Sequence, residues 1–268
     1  MKRTKILILL VLAVSLALLS LTGCNIYPPG NKDEADEIIA SARSKLESLP
    51  YVAVTKTEFS TDDESLADLL NETSGAKITL VSFGESFTLS SSFSVSDITS
   101  ECLYTSYGGT LYKKTTLTTS SGTVTELECA NLGVQDKAML LSRLGAGANI
   151  DEKDFETVSA TVSKDGDCTL TASDVRSESL DGIKIAMQNK LNYAEGVEVT
   201  GAEYSLLVSD GALTESRLTI HLTLTGGTEV SSLTVTLNTS YSMRQSDAIS
   251  APENAQSYEQ KELNDLLG

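Results

Sequence analysis

Three spacings of apolar residues run along the chain. Ile6 to Leu21 is a solid apolar run, broken only by Ser15 and Ser20. Between Asp33 and Leu49 the apolar positions Ala35, Ile38, Ile39, Ala42, Leu46 and Leu49 recur three and four apart, the spacing of one helical face. Asp33 and Glu34 stand in its first turn, Arg43 and Lys45 come later, as the helix dipole prefers, and Pro50 closes it. From Tyr51 the period drops to two. The stretches YVAVTKTEF, AKITLVSF and SFTLSSSFSV alternate and are rich in β-branched residues, which predicts strands.

The alternation continues through ECLYTSYGGTLYKKTTLTTSSGTVTELEC. Gly108-Gly109 and Ser120-Ser121-Gly122 divide it into three strands of an antiparallel meander, joined by turns that need positive φ. Two helical patterns interrupt the strands: LGVQDKAMLLSRLG, and SESLDGIKIAMQNKLNY with Ile183, Met187 and Leu191 in a stripe. Between them FETVSATVS and CTLTAS predict a hairpin about Lys164–Asp167. TDDESLADLLNETSG reads as a short helix or lid-like insertion.

The last third carries the clearest signal. Three long strands are predicted, with turns at Asp210-Gly211 and Gly226-Gly227. Leu218, Ile220, Leu222 and Leu224 share one face of the second. Leu233, Val235, Leu237, Tyr241 and Met243 share one face of the third. The opposite faces carry Thr219, His221 and Thr223, then Thr234, Thr236, Asn238 and Ser240, so one side of the sheet is dry and the other wet. Strands without a full set of connecting helices predict an α+β fold, with helices on one side of a curved antiparallel sheet.

The opening run has a different meaning. Lys2, Arg3 and Lys5 precede it without any acid, and at 16 residues it is shorter than the roughly 20 needed to cross a bilayer. This is the layout of an export signal. Its ending, Leu21-Thr22-Gly23-Cys24, resembles the lipobox of bacterial lipoprotein signal peptides. The resemblance implies cleavage before Cys24 and a diacylglyceryl group, with palmitate or a similar fatty acid, on its thiol. The expected division is a signal peptide over 1–23, a tether over 24–32 and a single domain over 33–268. The tether spans at most ~30 Å, which keeps the domain near the membrane.

Charge then excludes some partners. Without the three basic residues of the leader, 17 basic side chains face 37 acidic ones, a formal charge of −20. That opposes nucleic acid, whose phosphates need Lys and Arg, and opposes docking on anionic headgroups. Acyl chains rather than charge would hold the domain at the membrane. Cys102, Cys129 and Cys168 leave an odd count and no CxxC, so small buried apolar side chains are expected rather than an obligatory bridge.

Catalytic signatures are missing. The chain has no GxSxG, HExxH, P-loop or dinucleotide fingerprint, and its one histidine, His221, sits mid-strand among threonines. Asp33-Glu34 and Asp62-Asp63 suit helix starts, and Asp165 and Asp167 flank a turn glycine. No catalytic residue, metal site or cofactor is expected.

The order of elements resembles the half-barrel lipoproteins of the LolA and LppX/LprG type, and uncharacterised Gram-positive lipoproteins of that kind. The residues that carry it are DEADEIIASARSKLESLPYVAVTKTEF after the tether, the hairpin CLYTSYGGTLYKKT, and ISAPENAQSYEQ after the last long strand. It implies an open half-barrel with helices on its concave side and an extracytoplasmic, lipid-anchored location. It also implies a space between sheet and helices, lined by Leu218, Ile220, Leu222, Leu224, Leu233, Val235, Leu237, Tyr241 and Met243, that can take a lipid or other hydrophobic ligand.

Two functions stay open on this reading: a carrier of that ligand, or a non-enzymatic envelope scaffold or accessory protein of a membrane complex, in which the same residues form a filled core. For the anchor, Cys24→Ala should abolish incorporation of a labelled fatty acid and move the protein out of the membrane fraction. Retention at mature size and with label would refute it.

Overall fold

A computed structural model describes residues 32–64, 67, 70, 77–95, 97–144, 150–191, 196–226, 229–244 and 249–267. The leader, the lipobox and the tether up to residue 31 lie outside them. Of the predicted insertion, Thr61–Glu64, Ala67 and Leu70 are described, Thr61 as the end of a strand and Glu64, Ala67 and Leu70 as helix.

In chain order the elements are helix α1 (Lys32–Ser48); strands β1 (Tyr51–Thr61), β2 (Lys77–Phe83), β3 (Ser86–Val95), β4 (Ile98–Tyr107), β5 (Thr110–Thr119) and β6 (Gly122–Asn131); helix α2 (Lys137–Arg143); strands β7 (Phe155–Val162) and β8 (Cys168–Val175); helix α3 (Ser177–Leu191); strands β9 (Val197–Ser209), β10 (Ala212–Gly226), β11 (Glu229–Met243) and β12 (Glu259–Gln260); and helix α4 (Leu263–Leu267). Short 3₁₀ turns stand at Glu152–Asp154 and Ala255–Ser257.

All twelve strands join one sheet in the order β12-β6-β5-β4-β3-β2-β1-β11-β10-β9-β8-β7. It consists of two meanders, β1–β6 and β7–β11, joined where β1 lies antiparallel to β11 from Tyr51↔Met243 to Thr61↔Leu233. The turns explain the regular meanders. Gly108 and Gly109 have φ of 60° and 78°, and Asp210 and Gly211 have 53° and 67°, the left-handed pairs that match the twist of tight hairpins. Each tight turn returns the chain beside the strand it has just left.

The expected half-barrel is not what these residues build. The sheet is open, long and mixed, because the two-residue β12 runs parallel to β6 at Glu128 and Cys129. The described helices do not line one concave side. They form two separate covers. Ala35, Ile39 and Ala42 of α1 and Ile183 and Met187 of α3 pack on the β7–β11 half, while Leu140 of α2 and Leu266 of α4 pack on the β1–β6 half. The physical reason is length. With 7 and 5 residues, α2 and α4 cover only a part of strands ten residues long. Beyond their reach the same face is bare, and Ile98, Leu117 and Val124 are exposed there.

The apolar core is accordingly split. One cluster centres on Ile220, Leu222, Leu233 and Val235, the other on Phe87, Leu89, Leu111 and Ala130. Tyr241 packs against both, at the seam between the meanders. Because Ile220 is 0% exposed, Ile220→Ala should cost about 2–5 kcal/mol in chemical denaturation. Leu117→Ala, on the bare end of the face, should cost no more than about 0.5 kcal/mol.

Candidate functional site

The residues expected to line a ligand space sit on the helix-covered face of β10 and β11. Leu218, Ile220, Leu222, Leu224, Leu233, Val235 and Leu237 are all buried, in one cluster with the α1 and α3 side chains. Alternation of period two puts them on one face, and the register Leu218↔Leu237, Ile220↔Val235, Leu222↔Leu233 brings them into contact pairs. Tyr241 and Met243, further along β11, do not share that burial. Tyr241 is half-buried, with its hydroxyl 3.1 Å from Ser216 Oγ, and Met243 is 36% exposed.

An ion pair clamps α1 over this cluster. Arg43 donates from Nη1 and Nη2 to Glu152 Oε1 and Oε2, both at 2.6 Å. The fork geometry suits a carboxylate and strengthens the pair. Glu152 is placed by a capping box in which Asp151 accepts from the Lys153 N–H while Asp154 accepts from the Asp151 N–H. The guanidinium holds the Glu152 carboxyl below its ordinary range, and Glu152 in turn raises Arg43. Tyr204 lies beside them, stacked on Phe155 at 6.3 Å, and burial pushes its phenol up to about 12. Arg43 was legible as a late-turn cation on a helix. Its partner, 109 residues away, was not.

The second polar cluster most resembles catalytic machinery. Lys137 Nζ donates to Ser82 Oγ at 2.6 Å and to the Gly84 carbonyl, and the Tyr51 hydroxyl also bears on Ser82. Burial lowers the Lys137 pKa. A serine beside a lysine of lowered pKa can be a nucleophile with its base. Here Ser82 is 1% exposed, in the middle of the sheet, and the lysine is engaged by the Gly84 carbonyl, which accepts a hydrogen bond from it. The cluster joins α2 to the end of β2 and leaves a substrate no approach to the hydroxyl. Sequence reasoning missed it, since Ser82 is one of many strand serines.

Other candidates are explained by local bonding. His221 Nδ1 lies 3.2 Å from Thr234 Oγ1, its partner across the strands. Asp62 accepts the Ser232 N–H at 2.9 Å, which lowers its pKa, and Asp63 accepts the Ser231 hydroxyl at 2.8 Å. These acids clasp the end of β1 to β11, and Asp63 also stands directly before the helical residue Glu64, its carbonyl accepting the Ala67 N–H at 2.8 Å. Asp165 and Asp167 donate their N–H groups to Ser163 Oγ, as in a hairpin turn. Cys102, Cys129 and Cys168 are free, and the latter two are buried. Among the described residues no helix is long and apolar enough to cross a membrane.

The opposite face of the sheet is polar and carries two open basins. One, of about 380 Å³, is lined by residues of β2 to β5 that include Lys77, Ser90, Ser92, Glu101 and Lys114. The other, of about 450 Å³, spans β1 and β8 to β11, with Lys56, Ser205, Glu215, Arg217 and Asn238 in its wall. This is the wet face anticipated from the Thr and Ser positions of β10 and β11, extended across the first meander.

No family model matches the chain, and no curated protein matches it. Among solved structures, the crystal structure of ywiB protein from Bacillus subtilis is similar over 72% of this chain and 91% of that chain, at 6% identity and a TM-score of 0.17. A likeness that low carries no argument about fold or function.

The Arg43–Glu152 pair makes stability depend on pH. The folded Glu152 carboxyl titrates below its unfolded value near 4.5. Its contribution is therefore complete above that value and disappears as pH falls through the lower folded value. Side-chain exposures of 32% and 20% weaken the pair by solvent screening, so Glu152→Gln should cost only about 1 kcal/mol at neutral pH. In denaturant melts the wild-type advantage should shrink progressively as the pH is lowered below 4.5. An advantage unchanged there would show that the pair does not set it.

Proposed function

We propose that the protein is a lipid-anchored, non-enzymatic lipoprotein on the extracytoplasmic face of the cell membrane. It works as an envelope scaffold or accessory subunit through its sheet surface, not by carrying a lipid inside. The location is supported by the basic leader, the short apolar run and Leu21-Thr22-Gly23-Cys24. Two or more acyl chains on Cys24 supply durable anchoring, which one chain does not.

One observation carries the scaffold reading over the carrier. The positions that would line a ligand space, Leu218 through Leu237, pack directly against Ala35, Ile39, Ala42, Ile183 and Met187. Apolar side chains from sheet and helices fill the same layer, so an acyl chain would have to displace α1 or α3. Displacing α1 would also break the Arg43–Glu152 fork. The absence of chemistry in the reading rests on the sealed position of Ser82 and on the Thr234 contact of His221.

The full chain purified from membranes in mild detergent should carry its covalent acyl groups and no stoichiometric free lipid by native mass spectrometry. Crosslinking in intact cells should trap it with a specific envelope protein. A tightly held lipid in one-to-one amount would overturn the scaffold reading in favour of the carrier.

A further inference from the structure

Basic side chains are scarce in this acidic chain, and many of those described are engaged by the fold. Arg43 holds Glu152, Lys113 pairs with Glu128 and bonds the Leu266 carbonyl, and Lys137 holds Ser82. Lys56, Lys77, Lys114 and Arg217 have no hydrogen-bond or ion-pair partner among the described residues, and all four point to the polar face. The register lines three of them up: Arg217 is opposite Asn238, Asn238 opposite Lys56, and Lys56 opposite Lys77. At about 4.8 Å per strand this row spans roughly 14 Å, and Lys114 extends the cations to β5.

Lys56 directly opposite Lys77 is unfavourable for the sheet, because like charges in a cross-strand pair repel. The two basins contain these four cations and two carboxylates, Glu101 and Glu215, with Glu58 next along β1 from Lys56. Among the described residues of β10 to β5 this face thus exposes four cations against three carboxylates, on a chain whose overall charge is strongly negative. Its complement is an anion.

The linings narrow the class. Ser90, Ser92, Ser205 and Asn238 supply hydroxyl and amide groups, and neither basin has an aromatic ring on which a base could stack. Backbone groups of the central strands are paired on both sides, so a peptide cannot add as a strand. We infer that this face binds an acidic polysaccharide laid across β10 to β5, its carboxylates on the cations and its ring hydroxyls on Ser, Thr and Asn side chains. The inference rests on the proposed envelope location for where such a polymer is met, but the binding itself does not depend on the anchor.

The test uses the full chain in detergent at about 20 mM salt, where the Debye length is long. The probes are polygalacturonate and poly-L-glutamate, which share the carboxylate and differ in hydroxyls. Polygalacturonate should bind, at least about tenfold tighter than poly-L-glutamate, with affinity falling as salt rises. K56E/K77E should weaken it by about tenfold or more, while K164E/K184E, an equal charge change on exposed lysines away from this face, should leave it within about twofold. K56Q should weaken binding without lowering Tm, since it relieves the repulsion, which a structural role for Lys56 would not allow. No binding of polygalacturonate, or equal loss in the two double variants, would overturn the site. Equal binding of the two polymers would reassign it to an acidic protein. Neither outcome bears on the lipid content that tests the scaffold reading.

Discussion

The antiparallel ladder between β1 and β11 is the constraint on which the molecule depends. It joins residues about 180 positions apart through eleven consecutive register pairs. Without it the chain would be two meanders, each with an extra open edge and half a core. Such a contact is expensive in chain entropy, though the cost grows only slowly with loop length. It is held by side chains as well as by the backbone. Thr55 and Thr239 approach to 2.8 Å, Asp62 and Asp63 grip Ser232 and Ser231, and Tyr241 touches both apolar clusters.

Once that seam closes, the two faces of the sheet take different roles. On one, small residues of α1 bring a helix close to the long strands, and the leucine-rich positions of β10 and β11 are sealed. On the other, none of the described helices packs across the central strands, and Ser, Thr, Lys and Arg stand in rows fixed by the same register. The division follows from the period of two, since each strand sends successive side chains to opposite sides. The filled face holds the two apolar clusters, and the wet face carries the polar basins. A lipid anchor near residue 24 would present that surface close to the membrane, within reach of other envelope components.

Much of the secondary structure was readable. The first helix, the hairpins at Gly108-Gly109 and Asp210-Gly211, and the three long strands of the last third follow from local spacing and turn chemistry. The half-barrel did not follow. Periodicity identifies strands and which of their sides is apolar, but nothing in it says whether a meander curls under helices or spreads into an open sheet. The C-terminal segment shows the same limit. Gln260 pairs beside β6, and Leu266 plugs the second core with 0% exposure, yet ISAPENAQSYEQKELNDLL contains no periodic signal long enough to place either.

Sequence alone supplied the Leu21-Thr22-Gly23-Cys24 motif on which the proposed anchor rests, the acidic balance, the strands and their dry and wet faces, because each is a property of residues close together in the chain. The tertiary structure decided which strand lies beside which, that Arg43 meets Glu152, that Ser82 is closed in by Lys137, and that Lys56 opposes Lys77. Those depend on long-range pairing, where many partners are chemically equivalent and only the register of the assembled sheet selects among them.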